Sequence, residues 1–483
     1  MDVLGSIATV FDRAGFEIFL VGGSVRDRLL GRPFEDLDLA TNARPPDIKR
    51  LLKQAKPNGI YEIGAKFGTI GATFGGTGVE VTTYRKEWYP TESRKPEVEF
   101  GDDLRQDLAR RDFTINAIAQ NISTGTIIDL FRGAADLARR RIKAVGNPSE
   151  RFAEDPLRML RAVRLAVQLD FDLEQRTART IRGNAGRLQY ISAERIRDEL
   201  VKIVVSPRPD LGIAALFELG LMRFVIPELM DMPATEQDTT GHQHKDVLAH
   251  TLQVLAGVPA EPTLRLAALL HDVGKPKTKS IRNGRIHFYR HEDVGARMTR
   301  EILRRLRVDS TTVNEVTKLV ALHMRSNLYT SDWSDGAVRR FIREVGDSRE
   351  RLLVLSRADI TSYRPRRIEA GLVRVAELEA RCQQLVGEAD VERMDSPLDG
   401  NELIELFGRA PGPWIRPVKD YLLELVLDGE LDQDDKERAA ILAREFQDGV
   451  SERANGEGES SIEGEISAAS NGAGAPVENA RRS

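Results

Sequence analysis

Cysteine is almost missing from this chain: Cys382 is the only one in 483 residues. A single thiol excludes an internal disulfide and a thiolate zinc site, and it suits the cytosol. Long apolar runs are missing too. No stretch reaches the ~18 apolar residues that a membrane-spanning helix needs, and the N-terminus lacks a basic-then-apolar signal layout. The chain also lacks a large charge excess. A net charge of −4 argues weakly against a nucleic-acid partner until it is divided along the chain. Residues 447–483 carry seven acids and three bases, so residues 1–446 sum to about zero. RNA binding would therefore rest on local basic patches rather than on overall charge. That same tail is rich in Gly, Ser, Ala and Glu and nearly free of large apolar residues, which predicts disorder.

What is present fits a multidomain globular protein. A chain of 483 residues is too long for one core, and its 41% apolar and 30% charged residues can fill about three domains.

The most informative stretch runs from Leu20 to Thr41 and reads LVGGSVRDRLLGRPFEDLDLAT. An apolar run, Ile18–Val21, meets two glycines and then a helix-like segment, Ser24–Leu30, carrying Arg26 and Asp27. Asp36 and Asp38 follow, alternating with Leu37 and Leu39. On a strand, residues two apart share a face and stand roughly 7 Å apart, so both carboxylates can converge on one hard cation. Gly22 and Gly23 let backbone N–H groups approach a phosphate. A phosphate cradle followed by a metal-binding pair suits the handling of nucleoside triphosphates.

Residues 3–14 and Pro45–Ala55 read as helices, and Gly59–Ile63, Gly68–Phe74 and Gly78–Tyr84 as strands separated by glycine turns. The last of these puts Glu80 on one face with Thr82 and Tyr84. Glu80 is a third catalytic carboxylate if its strand pairs beside Asp36 and Asp38, and otherwise an exposed strand glutamate. Lys86–Asp102 is polar, with two prolines and no helical period, and reads as a mobile loop. Asp107–Ala119, DLARRDFTINAIA, begins charged and ends apolar, like a helix entering a core. Within it Arg110, Arg111 and Asp112 suit a ribose and triphosphate, and Asn116 a sugar hydroxyl.

From about residue 134 the pattern becomes helical and rich in arginine. Arg151–Leu169 places apolar residues at 157, 160, 163 and 167, with Arg158, Arg161 and Arg164 on another stripe. Asp155 and Pro156 suit a helix start, and Asp155 and Arg158, three apart, would share a face. One reading is an ordinary ion pair worth a few tenths of a kcal/mol. The other is a base reader. Cytosine and adenine each offer an amino donor beside a ring-nitrogen acceptor, whereas uracil and guanine offer the reverse. A carboxylate beside a guanidinium matches the first pattern without a nucleic-acid template.

Taken together, these segments resemble the class II tRNA CCA-adding enzymes and bacterial poly(A) polymerases. The signature GG-x-VRD-x-LLG…D-x-D is matched at Gly22, Gly23, Val25, Arg26, Asp27, Leu29, Leu30, Gly31, Asp36 and Asp38. RRDFTxNA is matched from Arg110 to Ala117, E-D-x-x-R at Glu154, Asp155 and Arg158, and E-R-I-x-x-E-L within Ser192–Val204, which opens like a capped helix. The resemblance implies that Gly23 and Arg26 bind phosphates, that Arg161 and Arg164 help hold the nucleotide, and that the neck helices support the pocket. It further implies that the loop near residues 86–102 accompanies enzymes adding the terminal A. Poly(A) members carry an extra basic RRFxLxHV-like stretch where this chain reads GAKFGTIGATF, a departure that favours CCA addition.

All seven histidines lie between His242 and His323. His250 sits in an amphipathic helix, His271–Asp272 follow the apolar run Leu264–Leu270, and Asp359 lies in RADIT. This block resembles the HD phosphohydrolase superfamily, whose H…HD…D metal set falls on His250, His271, Asp272 and Asp359, with His291 and His323 available to a second metal. Imidazole plus carboxylate suits Mn, Fe, Co, Ni or Zn. The alternative is a vestigial or purely structural HD fold.

The expected architecture is α+β. A small mixed-sheet nucleotidyltransferase head of the polymerase-β kind (1–148) precedes a helical neck and nucleobase-binding region (149–235), an HD domain (236–365), a helical RNA-contacting tail (366–446) and a disordered acidic end (447–483). The expected activity is template-independent CCA addition to the tRNA 3′ end from CTP and ATP in the cytoplasm. Asp36 and Asp38 would hold Mg²⁺, and no membrane would be involved. A poly(A) polymerase and an HD phosphohydrolase with a degenerate head are the rivals.

Overall fold

In a computed structural model, the described residues are 3–33, 36–62, 64–88, 97–236, 246–361, 364–388 and 391–449. The chain divides into two compact units, Met1–His323 and Met324–Ser483.

The first unit begins with helix α1 (Val3–Arg13), which buries Ile7, Ala8 and Phe11. Strand β1 (Ile18–Val21) is apolar throughout and fully buried, as a central strand should be. Helix α2 (Gly23–Leu29) leads to β2 (Asp36–Thr41), where Leu37 and Leu39 turn inward and Asp36 and Asp38 outward. Helix α3 (Pro45–Gln54) is followed by β3 (Gly59–Tyr61), β4 (Thr69–Phe74) and β5 (Thr77–Thr83). After the short hairpin of β6 (Arg85–Trp88) and β7 (Glu97–Phe100) come α4 (Leu104–Ala109), β8 (Ile118–Asn121) and β9 (Ile127–Asp129). The seven-stranded sheet runs β3-β4-β5-β2-β1-β8-β9. Only β2 and β5 pair in parallel, so the sheet is mixed, as expected.

Three local expectations are corrected. The Lys86–Asp102 loop is not wholly irregular: Arg85 pairs with Phe100 and Trp88 with Glu97, while residues 89–96 lie outside the described residues. Asp107–Ala119 is not one helix. Helix α4 ends at Ala109, a single 3₁₀ turn spans Thr114–Asn116, and the apolar end is strand β8, with Ala119 opposite Val21. Short apolar runs carry no period that separates helix from strand. Finally, Asp155 is not helical. It sits at φ −140°, ψ 98° between α6 (Pro148–Glu154) and α7 (Arg158–Leu169). The ring of Pro156 disfavours helical geometry in the residue before it, so Asp155 and Arg158 cannot share a helix face. Helix α5 (Gly133–Ala138) lies earlier, at the end of the head.

The neck continues through helices Gln175–Asn184, Ala193–Val204 and Pro209–Glu218. Ser192 occupies the N-cap position of the second without making a side-chain cap bond. Helices Val247–Gly257, Pro262–Leu270, His291–Arg305 and Ser310–Leu322 then carry the histidines, interrupted by a hairpin of Lys279–Arg282 and Arg285–Phe288. His242 and His244 lie outside the described residues.

The second unit is helical. It includes Arg349–Asp359, the 24-residue helix Pro365–Glu388, and Gly400–Phe407 packed with Ile415–Asp428 around Leu403, Val418 and Leu422. Burial pushes the Cys382 thiol up to about 11, so it serves as a small apolar group. Of the predicted acidic tail, residues 450–483 lie outside the described residues. No helix among the described residues is long and apolar enough to cross a membrane.

Candidate active site and metal centre

The turn from β1 into α2 depends on Gly22, at φ 67°, ψ −135°, a conformation essentially closed to side-chain-bearing residues. A Cβ there would stand 3.0 Å from Arg111 Nη1 and 3.6 Å from Asp38 Oδ2. The glycine thus brings backbone, cation and carboxylate together. Ser24, which sequence reasoning passed over, fastens this turn to the carboxylate strand. Its hydroxyl donates to the Asp36 carbonyl (3.1 Å) and accepts from the Asp38 N–H (3.0 Å).

Strands β2 and β5 lie in register, with Asp38 opposite Glu80 and Asp36 opposite Gly78. Strand neighbours are about 4.8 Å apart, so Glu80 stands on the same face as the two aspartates. The bareness of Gly78 matters, because a Cβ there would fall 2.4 Å from Asp36 Oδ1. Asp38 opens on the cleft, yet partial burial raises its carboxyl above the ordinary range; Glu80 and Asp36 add to that, against Arg111 and Arg26. Three hard oxygen donors crowded on one face fit a divalent cation such as Mg²⁺. Among the described residues, however, the only metal-competent sets gathered within 4.8 Å are those of the histidine region.

Arginines form the next wall, and they are held by carboxylates. Asp107, buried on α4, accepts from Arg110 Nη2 (2.6 Å) and Arg111 Nη2 (3.0 Å). Burial would raise its carboxyl, but Arg111 and Arg110 outweigh that and lower it. Asp112 is buried with its acceptors filled by the protein: Phe113 N (2.8 Å), Asn116 Nδ2 (3.1 Å) and Arg161 Nε (2.9 Å). Burial acts against the charge of Asp112, yet Arg161 and these donors hold its carboxyl below the usual range. Asp112 is therefore a positioning residue for Arg161 and Asn116. Arg26 forks onto Asp27 (2.9 and 2.7 Å) and donates to Asn116 Oδ1 (2.9 Å). Asn116 keeps one amide hydrogen and one lone pair for a ligand.

Asp155 and Arg158 do not form the i,i+3 pair. Asp155 Oδ1 accepts from Leu157 N (3.1 Å) just ahead of α7, and Oδ2 accepts from Arg195 Nη2 (2.7 Å). Arg158 instead bonds Glu154 (2.6 Å), the Arg110 carbonyl (2.9 Å) and the Arg151 carbonyl (3.2 Å). Each group keeps part of its bonding capacity.

Both groups open on one cavity of about 380 Å³. Gly22, Gly23, Asp38, Arg110, Arg111, Asp112, Asn116, Asp155, Arg158 and Arg161 line it, together with Arg85 and Thr82, which the sequence reading did not single out. Asp36, Glu80, Arg26 and Arg164 are not among the lining residues. Arg164 bonds Glu199 (2.7 Å) and Gln168 (3.0 Å) and so ties α7 to the neck helix Ala193–Val204.

A second centre lies in the histidine region. His250, His271 and Asp272 form one set of potential ligands, and Asp272, His291 and His323 another. The Nε2 atoms of His250 and His271 are 3.3 Å apart, and those of His291 and His323 are 3.2 Å apart. The Nδ1 atoms of His271, His291 and His323 each meet a backbone carbonyl, of Ala268 (2.8 Å), Phe288 (2.9 Å) and Val320 (2.7 Å). A carbonyl calls for a donor, which fixes the Nδ1–H tautomer and turns the Nε2 lone pairs inward. Both oxygens of buried Asp272 lack a hydrogen-bond partner, although the Lys275 ammonium stands 2.7 Å from Oδ2. Converging lone pairs around a buried carboxylate that the Lys275 ammonium meets on one oxygen would suit divalent metal, and Asp272 is common to both sets of potential ligands. Asp359, the expected fourth ligand, ends the helix Arg349–Asp359 of the second unit.

Comparison with known proteins agrees with this layout. The poly A polymerase head domain matches residues 18–143, the probable RNA and SrmB-binding site of polymerase A matches 170–232, and the HD domain matches 247–376. The CCA-adding enzyme of Levilactobacillus brevis is 42% identical over 251 residues, 51% of this chain and 62% of the relative. That of Enterococcus faecalis is 43% identical over 235 residues, 47% of this chain and 56% of the relative. The chain thus matches less than two thirds of the length of these curated relatives. Among solved structures, the Bacillus stearothermophilus CCA-adding enzyme in complex with CTP is 28% identical with a TM-score of 0.65, covering 93% of this chain and 98% of that one. The Thermotoga maritima CCA-adding enzyme complexed with tRNA shares the fold at 19% identity and a TM-score of 0.55, covering 92% of this chain and 95% of that one. With a poly A polymerase head domain, an RNA-binding region and an HD domain matched in this order, the chain is similar to the class II CCA-adding enzymes and bacterial poly(A) polymerases that carry an HD domain.

Proposed function

We propose that the protein completes the 3′ end of tRNA in the cytoplasm, adding C, C and A from CTP and ATP without a template and releasing pyrophosphate. The observation that carries this reading is the single cavity lined by Asp38 together with Asp155 and Arg158. Its volume of about 380 Å³ lies within the span of small-ligand sites. A relative with 28% identity is known with CTP bound, which supports CTP as a ligand here.

Asp36 and Asp38, with Glu80, would hold Mg²⁺, which when bound supplies Lewis-acid activation of the attacking hydroxyl and neutralises the triphosphate. Gly22 and Gly23 bring the backbone close to the phosphates. Arg110 and Arg111, fixed by Asp107, offer guanidinium groups to phosphate oxygens. Asn116, steadied by Arg26 and Asp112, hydrogen-bonds the sugar. Asp155 accepts from the exocyclic amine of C or A while Arg158 donates to the adjacent ring nitrogen; U and G would set donor against donor. Arg161 lies beside the nucleotide, and Arg164 helps hold it indirectly by fixing α7 to Glu199.

In the histidine region, His250, His271 and Asp272, with His291 and His323, would hold divalent transition metals that activate water against an RNA phosphoester. We divide the chain functionally at about residues 148, 235, 365 and 446.

The test is incubation with tRNA lacking its terminal CCA, with ATP alone or with ATP plus CTP. Products that stop at CCA support the reading, and long A tails favour a poly(A) polymerase. Asp36→Ala should abolish addition while sparing phosphoester hydrolysis, and His271→Ala the converse. Hydrolysis without any addition by the wild type would leave the head as an RNA-binding remnant.

A further inference from the structure

From Lys275 to Arg290 the chain carries six lysines and arginines and no acid, within a protein of net charge −4. Most of this stretch is the hairpin Lys279–Arg282 and Arg285–Phe288, closed by Asn283 and Gly284, both at positive φ as a tight two-residue turn requires. Its register decides what each face presents. Ser280 lies opposite His287 and Arg282 opposite Arg285, so these four side chains share one face.

Tyr289, just past the second strand, extends that face. Its ring stacks on His287 with centroids 5.1 Å apart and planes within 7°, and Arg282 lies 5.4 Å over it. Tyr289 is 56% exposed. The result is a cluster of guanidinium, phenol and imidazole groups in which the Tyr289 ring stays open to solvent. Lys279, Arg282 and Arg285 meet no carboxylate among the described residues, so this charge is not spent within the fold. The opposite face is used internally: Lys275 lies 5.5 Å over the Phe288 ring, and the Phe288 carbonyl meets His291 Nδ1.

We propose that this hairpin face is a docking surface for single-stranded RNA, with Arg282 and Arg285 on successive phosphates and a base stacked on Tyr289. Flat aromatic surface flanked by unpaired cations is how proteins hold unstructured strands without reading sequence. Charge complementarity favours a polyanion, and the exposed ring favours one with free bases over a duplex, whose bases are stacked inside. Because Tyr289 lies two residues before His291, a docked strand would lie beside the HD metal ligands. The inference rests on the reading that this protein handles RNA, but not on CCA addition by the head.

The test uses the full chain with a labelled single-stranded RNA dodecamer and a duplex of equal length, followed by fluorescence anisotropy across a salt series. Tyr289→Ala should weaken single-strand binding about tenfold. The double variant R282A/R285A should flatten the dependence of log affinity on log salt by about 0.7 per lost contact. All three positions are exposed, so an unchanged thermal midpoint confirms that the variants fold. Addition to end-trimmed tRNA, measured alongside, separates this proposal from the function of the head: failed addition with intact hairpin effects leaves the docking surface standing. Unchanged affinity and salt slope in both variants would overturn it, as would a duplex bound as tightly as the single strand, or displacement by an acidic peptide alone.

Discussion

The carboxylate of Asp155 is held by Arg195, 2.7 Å away on the neck helix, and not by Arg158, its neighbour three residues along. Arg158 is held in turn by Glu154 and by two backbone carbonyls. Each half of the proposed base reader is thus fixed by a separate element and left with bonding capacity towards the cavity. An internal Asp155–Arg158 pair would consume the groups that are meant to read a base.

This makes Arg195 a positioning residue. Arg195→Ala should lower kcat/KM for CTP and ATP about tenfold and narrow the preference for them over UTP and GTP, while Arg195→Lys restores part of both. A purely structural role would lower all four nucleotides alike, and steady-state kinetics with each nucleotide separates the two outcomes.

Gly22 offers a steric prediction. Gly22→Ala puts a methyl group 3.0 Å from Arg111 Nη1 on a backbone at φ 67°, so strain and a displaced cation act together. Strain of this kind costs about 1–3 kcal/mol. The expected outcome is a thermal midpoint lower by a few degrees and a larger loss of nucleotide addition. Wild-type behaviour in both calorimetry and turnover would contradict it.

Asp38 links charge to stability. Burial, with Glu80 and Asp36, raises its carboxyl above the ordinary value of 3.8, so the folded protein holds this proton more tightly than the unfolded chain. The sign follows: the ionised form destabilises the fold, the cost being absent below pH 3.8 and complete once pH has risen through the elevated value. Asp38→Asn should therefore raise the thermal midpoint at pH 7 while abolishing addition, with the gap closing as the solution is acidified. Mg²⁺ should raise the wild-type midpoint more than that of the variant. A variant less stable at pH 7 would contradict this account.

Much of this was legible in the residues. Asp36 and Asp38 alternate with Leu37 and Leu39, a period that gives strand and face together, and His271–Asp272 follow a mostly apolar helix. Tertiary partners were not legible. Arg195 lies 40 residues from Asp155, and nothing local marks their contact. Asp107 passed as one more charge, yet it is the buried anchor for two arginines. Ser24 carries no local mark of its role, because its bonds to β2 exist only once the strand is in place. The break at Asp155 did have a signal, Pro156, whose effect on the preceding residue outweighs the helical period around it.

The central claim, that protein side chains stand in for a template base, is tested most directly at Asp155. Wild type and Asp155→Ala are each given end-trimmed tRNA with the four nucleoside triphosphates in equal amounts, and the added nucleotides are sequenced. The account predicts CCA from the wild type, and from the variant a loss of C and A preference on the order of 10- to 100-fold, the worth of one good base contact, with triphosphate affinity changed far less. A variant that still adds only C and A would contradict it.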